Sequence, residues 1–240
     1  MTTLRDIMSI ALYPALAILA GGALSLWRAS GPRLSSAIQH FTAGVLFAAL
    51  ATELLPDVVH RRQPWITLAG FSLGVAAMLV IKRLTEKFAQ KGGADNAQPA
   101  SLIATLGIDL ALDGALIGLG FAAGQRQGIL LTIALTLEVV FVGLSGGAAL
   151  RSAGSGRGKV VLVIAGFASL LLAGAAAGAL LLHSAPPALL DAVLAFGVAA
   201  LLYLVTEELL TEAHEVPETP VQTAMFFVGF IVLLLIEMML

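Results

Sequence analysis

The sequence predicts an all-α polytopic membrane protein, a single transmembrane domain over residues 1–240 that contains eight transmembrane helices. The chain is 59% hydrophobic and has a mean hydropathy of +0.98. Only 12% of its residues are charged, whereas soluble domains carry about 25%. Its apolar runs are roughly 17–23 residues long, and about 20 residues span a bilayer as a helix. We therefore expect an integral membrane protein whose main partner is the lipid bilayer.

The predicted spans follow one another with short connections. They are Ile7–Trp27, Ile38–Val59, Trp65–Ile81, Leu102–Ala123, Ile129–Leu150, Val160–Leu182, Ala188–Leu210 and Val221–Leu240. The first is longer than the core of a signal peptide, about 7–15 residues, so we expect it to stay in the protein. The segment 82–100 contains KGGADNAQPA, a composition typical of turns and linkers. We expect this segment to form a cytoplasmic loop.

The distribution of Lys and Arg predicts the orientation. Of the 13 Lys and Arg residues, nine follow the first, third and fifth spans, and four (Arg5, Arg61, Arg62 and Arg126) lie on the other side. Cytoplasmic connections carry the excess of positive charge. Both termini are therefore predicted to lie outside the cytoplasm, and we expect the inner (plasma) membrane of a bacterium. No basic stripe points to nucleic acid, and the absence of Cys excludes thiolate metal sites.

A weak internal repeat relates the two ends of the chain. The second span contains GVLFAALATELLPD from Gly44, and the seventh contains GVAALLYLVTEELLTE from Gly197. The third span, with AGFSLGVAAMLVI, is similar to the eighth, with VGFIVLLLIEMML. This predicts an inverted repeat of spans 1–3 and 6–8 around spans 4–5, a pattern typical of transporters. The alternative is chance similarity between helices rich in Leu, Ala and Gly.

Three acidic residues interrupt the fourth and fifth spans. Asp109 and Asp113 are spaced i and i+4, so their side chains share one helix face, and Glu138 lies in the middle of the fifth span. An ionised group at bilayer depth costs roughly 2.5–3.5 kcal/mol, which a bound ion can offset. We therefore expect a divalent metal ion, as transported substrate, to be held between the two spans by these three carboxylates.

Four further acids lie toward the ends of a path through this centre. They are Glu53 and Asp57 at the outer mouth, and Glu207 and Glu208 at the inner mouth. A cation pathway needs several such stations, each of which binds the ion without holding it too tightly. The alternative is that these four carboxylates are simply solvated at the helix ends.

At these positions the chain resembles the ZIP family of divalent-metal transporters. The fourth span of that family carries His-Asn-x-Pro-Glu-Gly, and here DLALDG places Asp109 at the His position and Asp113 at the Glu position. In the fifth span, EVVFVG places Glu138 at the His position and Val142 at the second acid position. The resemblance implies eight spans, outside termini, a cytoplasmic loop after the third span and a central metal site. Because Val142 cannot be a ligand, we expect one ion rather than the family's paired metals.

The function that these features favour is transport of a zinc, manganese or iron-class cation toward the cytoplasm, by alternating access and without an organic cofactor. The chain contains no P-loop, so we do not expect it to hydrolyse ATP. We expect a transporter and not an enzyme. Three alternatives stay open: a protonated acid cluster that only joins helices, a transport-inactive scaffold or sensor with the same fold, and a proton-coupled carrier of another cation. A homodimer is compatible with the sequence.

Overall fold

The computed structural model describes residues 3–27, 31–91, 97–182, 185–217 and 219–239. Within those residues the chain forms helices and no strand. Eight of the helices are long and apolar enough to cross a membrane. The predicted fold class and the number of spans are therefore confirmed.

Each predicted span falls inside one helix, apart from Leu240, which lies outside the described residues. The helices are α1 (Leu4–Trp27), α2 (Pro32–Arg61), α3 (Pro64–Lys91), α4 (Ala97–Ala123), α5 (Gln125–Ser152), α6 (Arg157–Leu182), α7 (Pro187–Ala213) and α8 (Pro220–Met239). Four of them begin with proline, which suits the first helical turn because the amide proton it lacks has no helical partner there. These starts precede the apolar runs, so hydropathy marks the lipid-crossing part of each helix rather than its full length.

The structure corrects the predicted loop 82–100. Helix α3 continues to Lys91 and α4 begins at Ala97, so the flanks of this segment are helical, and 92–96 lie outside the described residues. The sequence KRLTEKFAQK after Ile81 contains mostly good helix formers. Its charges end the apolar run without ending the helix. The cytoplasmic location of this segment stays a prediction.

The helices pack most extensively within two groups of four. Helices α1, α4, α5 and α6 form bundle A, and helices α2, α3, α7 and α8 form bundle B. Within bundle A, the most extensive contacts are between α1 and α5 and between α4 and α6. Within bundle B, they are between α2 and α8 and between α3 and α7. These pairs exchange when spans 1–3 are swapped for spans 6–8 and span 4 is swapped for span 5, as an inverted repeat around spans 4–5 requires. The repeat itself stays a prediction that this packing supports.

Glycine allows close helix contact in each bundle. A Cβ atom on Gly114 of α4 would overlap the carbonyl oxygen of Leu171 in α6. In bundle B, a Cβ atom on Gly44 of α2 would overlap the carbonyl oxygen of Phe226 in α8. Small residues let membrane helices approach to backbone contact, and this contact holds α4, which carries two of the central acids, against α6.

Two helices contain a π-helical segment at matching places. In α2 it covers Leu50–Leu54, and in α7 it covers Leu204–Leu209. Both segments contain the Thr-Glu pair of the sequence repeat. Such wide turns often occur at functional sites, and here they carry the predicted mouth residues Glu53, Glu207 and Glu208.

Ion pairs between helix ends show which ends share a side of the molecule. Arg61 at the end of α2 pairs with Asp191 at the start of α7, at 2.6 Å. Arg126 at the start of α5 pairs with Glu237 near the end of α8, at 3.6 Å. Eight consecutive spans place these four ends on one side, which we call the arginine side. The charge distribution predicts that this side is the outer one.

Introduced cysteines test that orientation, because the chain contains none of its own. In intact cells we expect an impermeant thiol reagent to label Gln125→Cys, on the arginine side, and to leave Gly156→Cys, between α5 and α6, protected. Both positions are exposed, and a Cβ atom at Gly156 meets no atom within 4 Å. The reverse labelling pattern would contradict the orientation and with it the direction of import.

Candidate metal centre

The three central acids predicted from the sequence meet in bundle A. The i, i+4 spacing on α4 presents Asp109 and Asp113 on one face, and Glu138 reaches them from α5. One carboxylate oxygen from each side chain lies within 4.8 Å of the others. Asp113 is fully buried, Glu138 is 1% exposed and Asp109 is half-buried. The structure thus brings together all three residues of the predicted central site.

The spacing of these oxygens is close to what a metal ion needs. Zinc binds carboxylate oxygens at about 2.0–2.2 Å in tetrahedral geometry, so two ligand oxygens of one ion lie about 3.4 Å apart. The observed upper separation of 4.8 Å therefore requires side-chain shifts of about an ångström. Three carboxylates leave coordination positions that water can fill, as is usual at sites with hard oxygen ligands.

The charges of this site are not balanced by the protein residues that the structure describes. Both carboxylate oxygens of Asp113 and the Oε2 atom of Glu138 are buried and have no hydrogen-bond partner there. Three ionised carboxylates at such short range repel one another and lack the hydration of bulk water. Neutralisation therefore requires a bound cation or protons.

A cavity of about 390 Å³ connects the central acids with one end of the molecule. Asp109 and Glu138 line its buried part. The predicted inner-mouth residues Glu207 and Glu208 line it as well, and the Glu207 side chain is 53% exposed. Asp113 is not part of the lining and lies behind the other two central acids. We call the side on which this cavity opens, opposite the arginine side, the cavity side.

The cavity also contains polar residues that the sequence analysis did not assign to the site. Lys82 lies 3.5 Å from Glu207, and Glu212 accepts a hydrogen bond of 2.7 Å from Gln39. Glu212 was missed because the seventh span was predicted to end at Leu210, whereas α7 continues to Ala213. The sequence signal that could have identified Glu212 is its spacing of four residues from Glu208, because this spacing places both side chains on one helix face.

The predicted outer-mouth residues form ion pairs with arginines. Glu53 is 5% exposed and lies 3.5 Å from Arg126. Asp57 lies 3.2 Å from Arg61, which also pairs with Asp191. Neither acid lines the cavity. A metal ion would have to compete with a guanidinium for each carboxylate, and metal binding by Glu53 and Asp57 stays a prediction.

Comparisons with protein-family models and with curated proteins give no match for this chain. The resemblance to the ZIP family therefore rests on motif positions. Those positions place Asp109, Asp113 and Glu138 at one site, where the structure also brings them together. Val142, at the position of the missing second acid, lines the cavity with a hydrocarbon side chain.

Proposed function

We propose that this protein is a divergent ZIP-like transporter that carries a divalent metal cation toward the cytoplasm through the Asp109, Asp113 and Glu138 site. The observation that carries the proposal is the convergence of three carboxylates within 4.8 Å in the core of an eight-helix protein. Acids at membrane depth are costly and typically mark ion pathways. A cluster that only joined helices would need hydrogen bonds, and the Asp113 oxygens make none among the described residues.

Alternating access is supported by the different character of the two sides. From the cavity side, Asp109 and Glu138 are reached through a cavity whose walls come from both bundles. On the arginine side, Glu53 and Asp57 are engaged in ion pairs. The central acids belong to bundle A, so a movement of one bundle against the other exposes them to opposite sides in turn. Inverted-repeat transporters alternate access around a midplane site in this way.

The donor set indicates the class of cation. Carboxylates and water suit hard divalent ions such as manganese, although zinc also binds carboxylates and affinity follows the Irving–Williams order. We therefore propose a single ion of the zinc, manganese or iron class, with less preference for zinc than a histidine site shows.

Metal uptake is expected to fall several-fold on acidification, for example from about pH 7.5 to about pH 5.5, because metal ligands must be deprotonated to bind. The measurement is uptake of radioactive manganese or zinc into proteoliposomes with the same pH on both sides. Liposomes without protein correct for leakage. Uptake that rises on acidification would instead favour a proton-driven carrier, and no uptake at any pH would contradict the proposed function.

A further inference from the structure

We propose that Arg126 is an ionic latch that holds the two bundles together on the arginine side and must release before the central site opens to that side. The latch consists of Arg126, Glu53 and Glu237. The proposal rests on the alternating access proposed above, but its test requires neither metal binding nor transport.

The geometry of the latch joins three helices. The Nε atom of Arg126, in the first turn of α5, lies 3.5 Å from Oε1 of Glu53 in α2. Its Nη2 atom lies 3.6 Å from Oε1 of Glu237 in α8. The same Nη2 atom donates a hydrogen bond of 3.0 Å to the backbone oxygen of Glu237. That carbonyl belongs to the last turn of α8, where the helix provides no amide partner.

The latch crosses the boundary between the bundles. Arg126 belongs to bundle A, whereas Glu53 and Glu237 belong to bundle B. The ion pairs of Arg61 and the pair of Lys82 with Glu207 lie within bundle B: Arg61 joins residues of α2 and α7, and Lys82 of α3 joins Glu207 of α7. These pairs can stay intact when the bundles separate. The Arg126 pairs must break, because they join the two bundles.

Burial makes release of the latch costly. The side chains of Glu53 and Glu237 are 5% and 17% exposed, whereas Arg126 is 54% exposed. Withdrawal of the guanidinium returns Arg126 to water and leaves two carboxylates with little hydration and no countercharge, which is strongly unfavourable. The pairs therefore favour the state that is closed on the arginine side. Glu53 acts in the latch in this state, rather than as a collector of metal ions.

A cysteine at position 134 reports whether the arginine side is open. Ala134 lies one helical turn from Glu138 toward Arg126, on the same face of α5. It is fully buried and does not line the cavity. We expect Ala134→Cys, with Arg126 intact, to react slowly with an impermeant thiol reagent applied to the arginine side. Combining it with Arg126→Gln is expected to raise the reaction rate about tenfold, within the usual range of coupling between two states.

Matched variants separate the latch from a general loss of packing. Glu237→Gln should raise the Ala134→Cys rate less than Arg126→Gln does, because the Glu53 pair and the backbone hydrogen bond remain. Arg126→Lys, which keeps the charge, should stay near the rate with Arg126 intact. Arg62→Gln removes an exposed arginine on the same side and should have no effect. Thermal unfolding of each variant identifies misfolded protein. Equal rates with and without Arg126→Gln would overturn the proposal.

Discussion

Replacement of Asp113 by Ala is expected to abolish metal-dependent uptake, with a loss of about 100-fold or more. Changes of residues that only support metal ligands cost 10–100-fold, and Asp113 is proposed as a ligand itself. Its side chain is fully buried and has no hydrogen-bond partner among the described residues. An unsatisfied buried polar group costs about 1–3 kcal/mol, so its removal offsets the small void that Ala leaves. Expression and the midpoint of thermal unfolding should therefore stay near those of the wild type.

The uptake measurement has graded variants and a surface control. Asp109→Asn and Glu138→Gln keep the side-chain shape and remove one charge each, and both should reduce uptake severely. Glu53→Gln should reduce uptake less, since Glu53 does not line the cavity. Glu215→Gln removes one exposed carboxylate and should transport like the wild type. If Asp113→Ala and both isosteric variants transport at the wild-type rate, the central acids are not on the transport path.

Introducing histidine at both cavity-lining central positions is expected to change the order of metal preference. Imidazole is a better ligand for zinc than for manganese, whereas carboxylates suit manganese. Asp109 and Glu138 both line the cavity of about 390 Å³, which provides space for imidazole rings. The double variant Asp109→His with Glu138→His should therefore favour zinc and cadmium over manganese and ferrous ion more strongly than the wild type. Competitive uptake of the four ions measures this preference.

Two comparisons make the selectivity result specific. Each single histidine variant should show an intermediate preference, and Glu215→His on the surface should leave the order unchanged. A wild type that already discriminates strongly for cadmium, or a double variant with an unchanged order, would show that Asp109 and Glu138 do not contact the metal.

The central site could be predicted because its signals are local in the sequence. The spacing of Asp109 and Asp113 places them on one face of any helix, and the apolar runs predict the membrane spans directly. The meeting of Glu138 with these two acids was inferred from depth, since each lies near the middle of its span. The structure adds the contact between α4 and α5 and the burial behind the cavity.

The features that were missed depend on contacts between distant parts of the chain. Arg61 and Asp191 are separated by 130 residues, and no local pattern predicts their ion pair. The same holds for Glu237, for which the sequence indicates no partner and which pairs with Arg126 in the structure. Residues 82–91 were misassigned as a loop because hydropathy shows where a helix leaves the lipid, not where it ends.

The most direct test of the central claim is divalent metal binding by the purified protein, compared between the wild type and Asp113→Ala. After dialysis against manganese or zinc, the wild type should retain about one ion per chain, because its three carboxylates are expected to hold a single ion. Asp113→Ala, dialysed in the same way, should retain no more metal than the background level. That background is measured with Glu215→Gln dialysed against a metal chelator. Equal metal content in the wild type and Asp113→Ala would contradict a metal site formed by Asp109, Asp113 and Glu138.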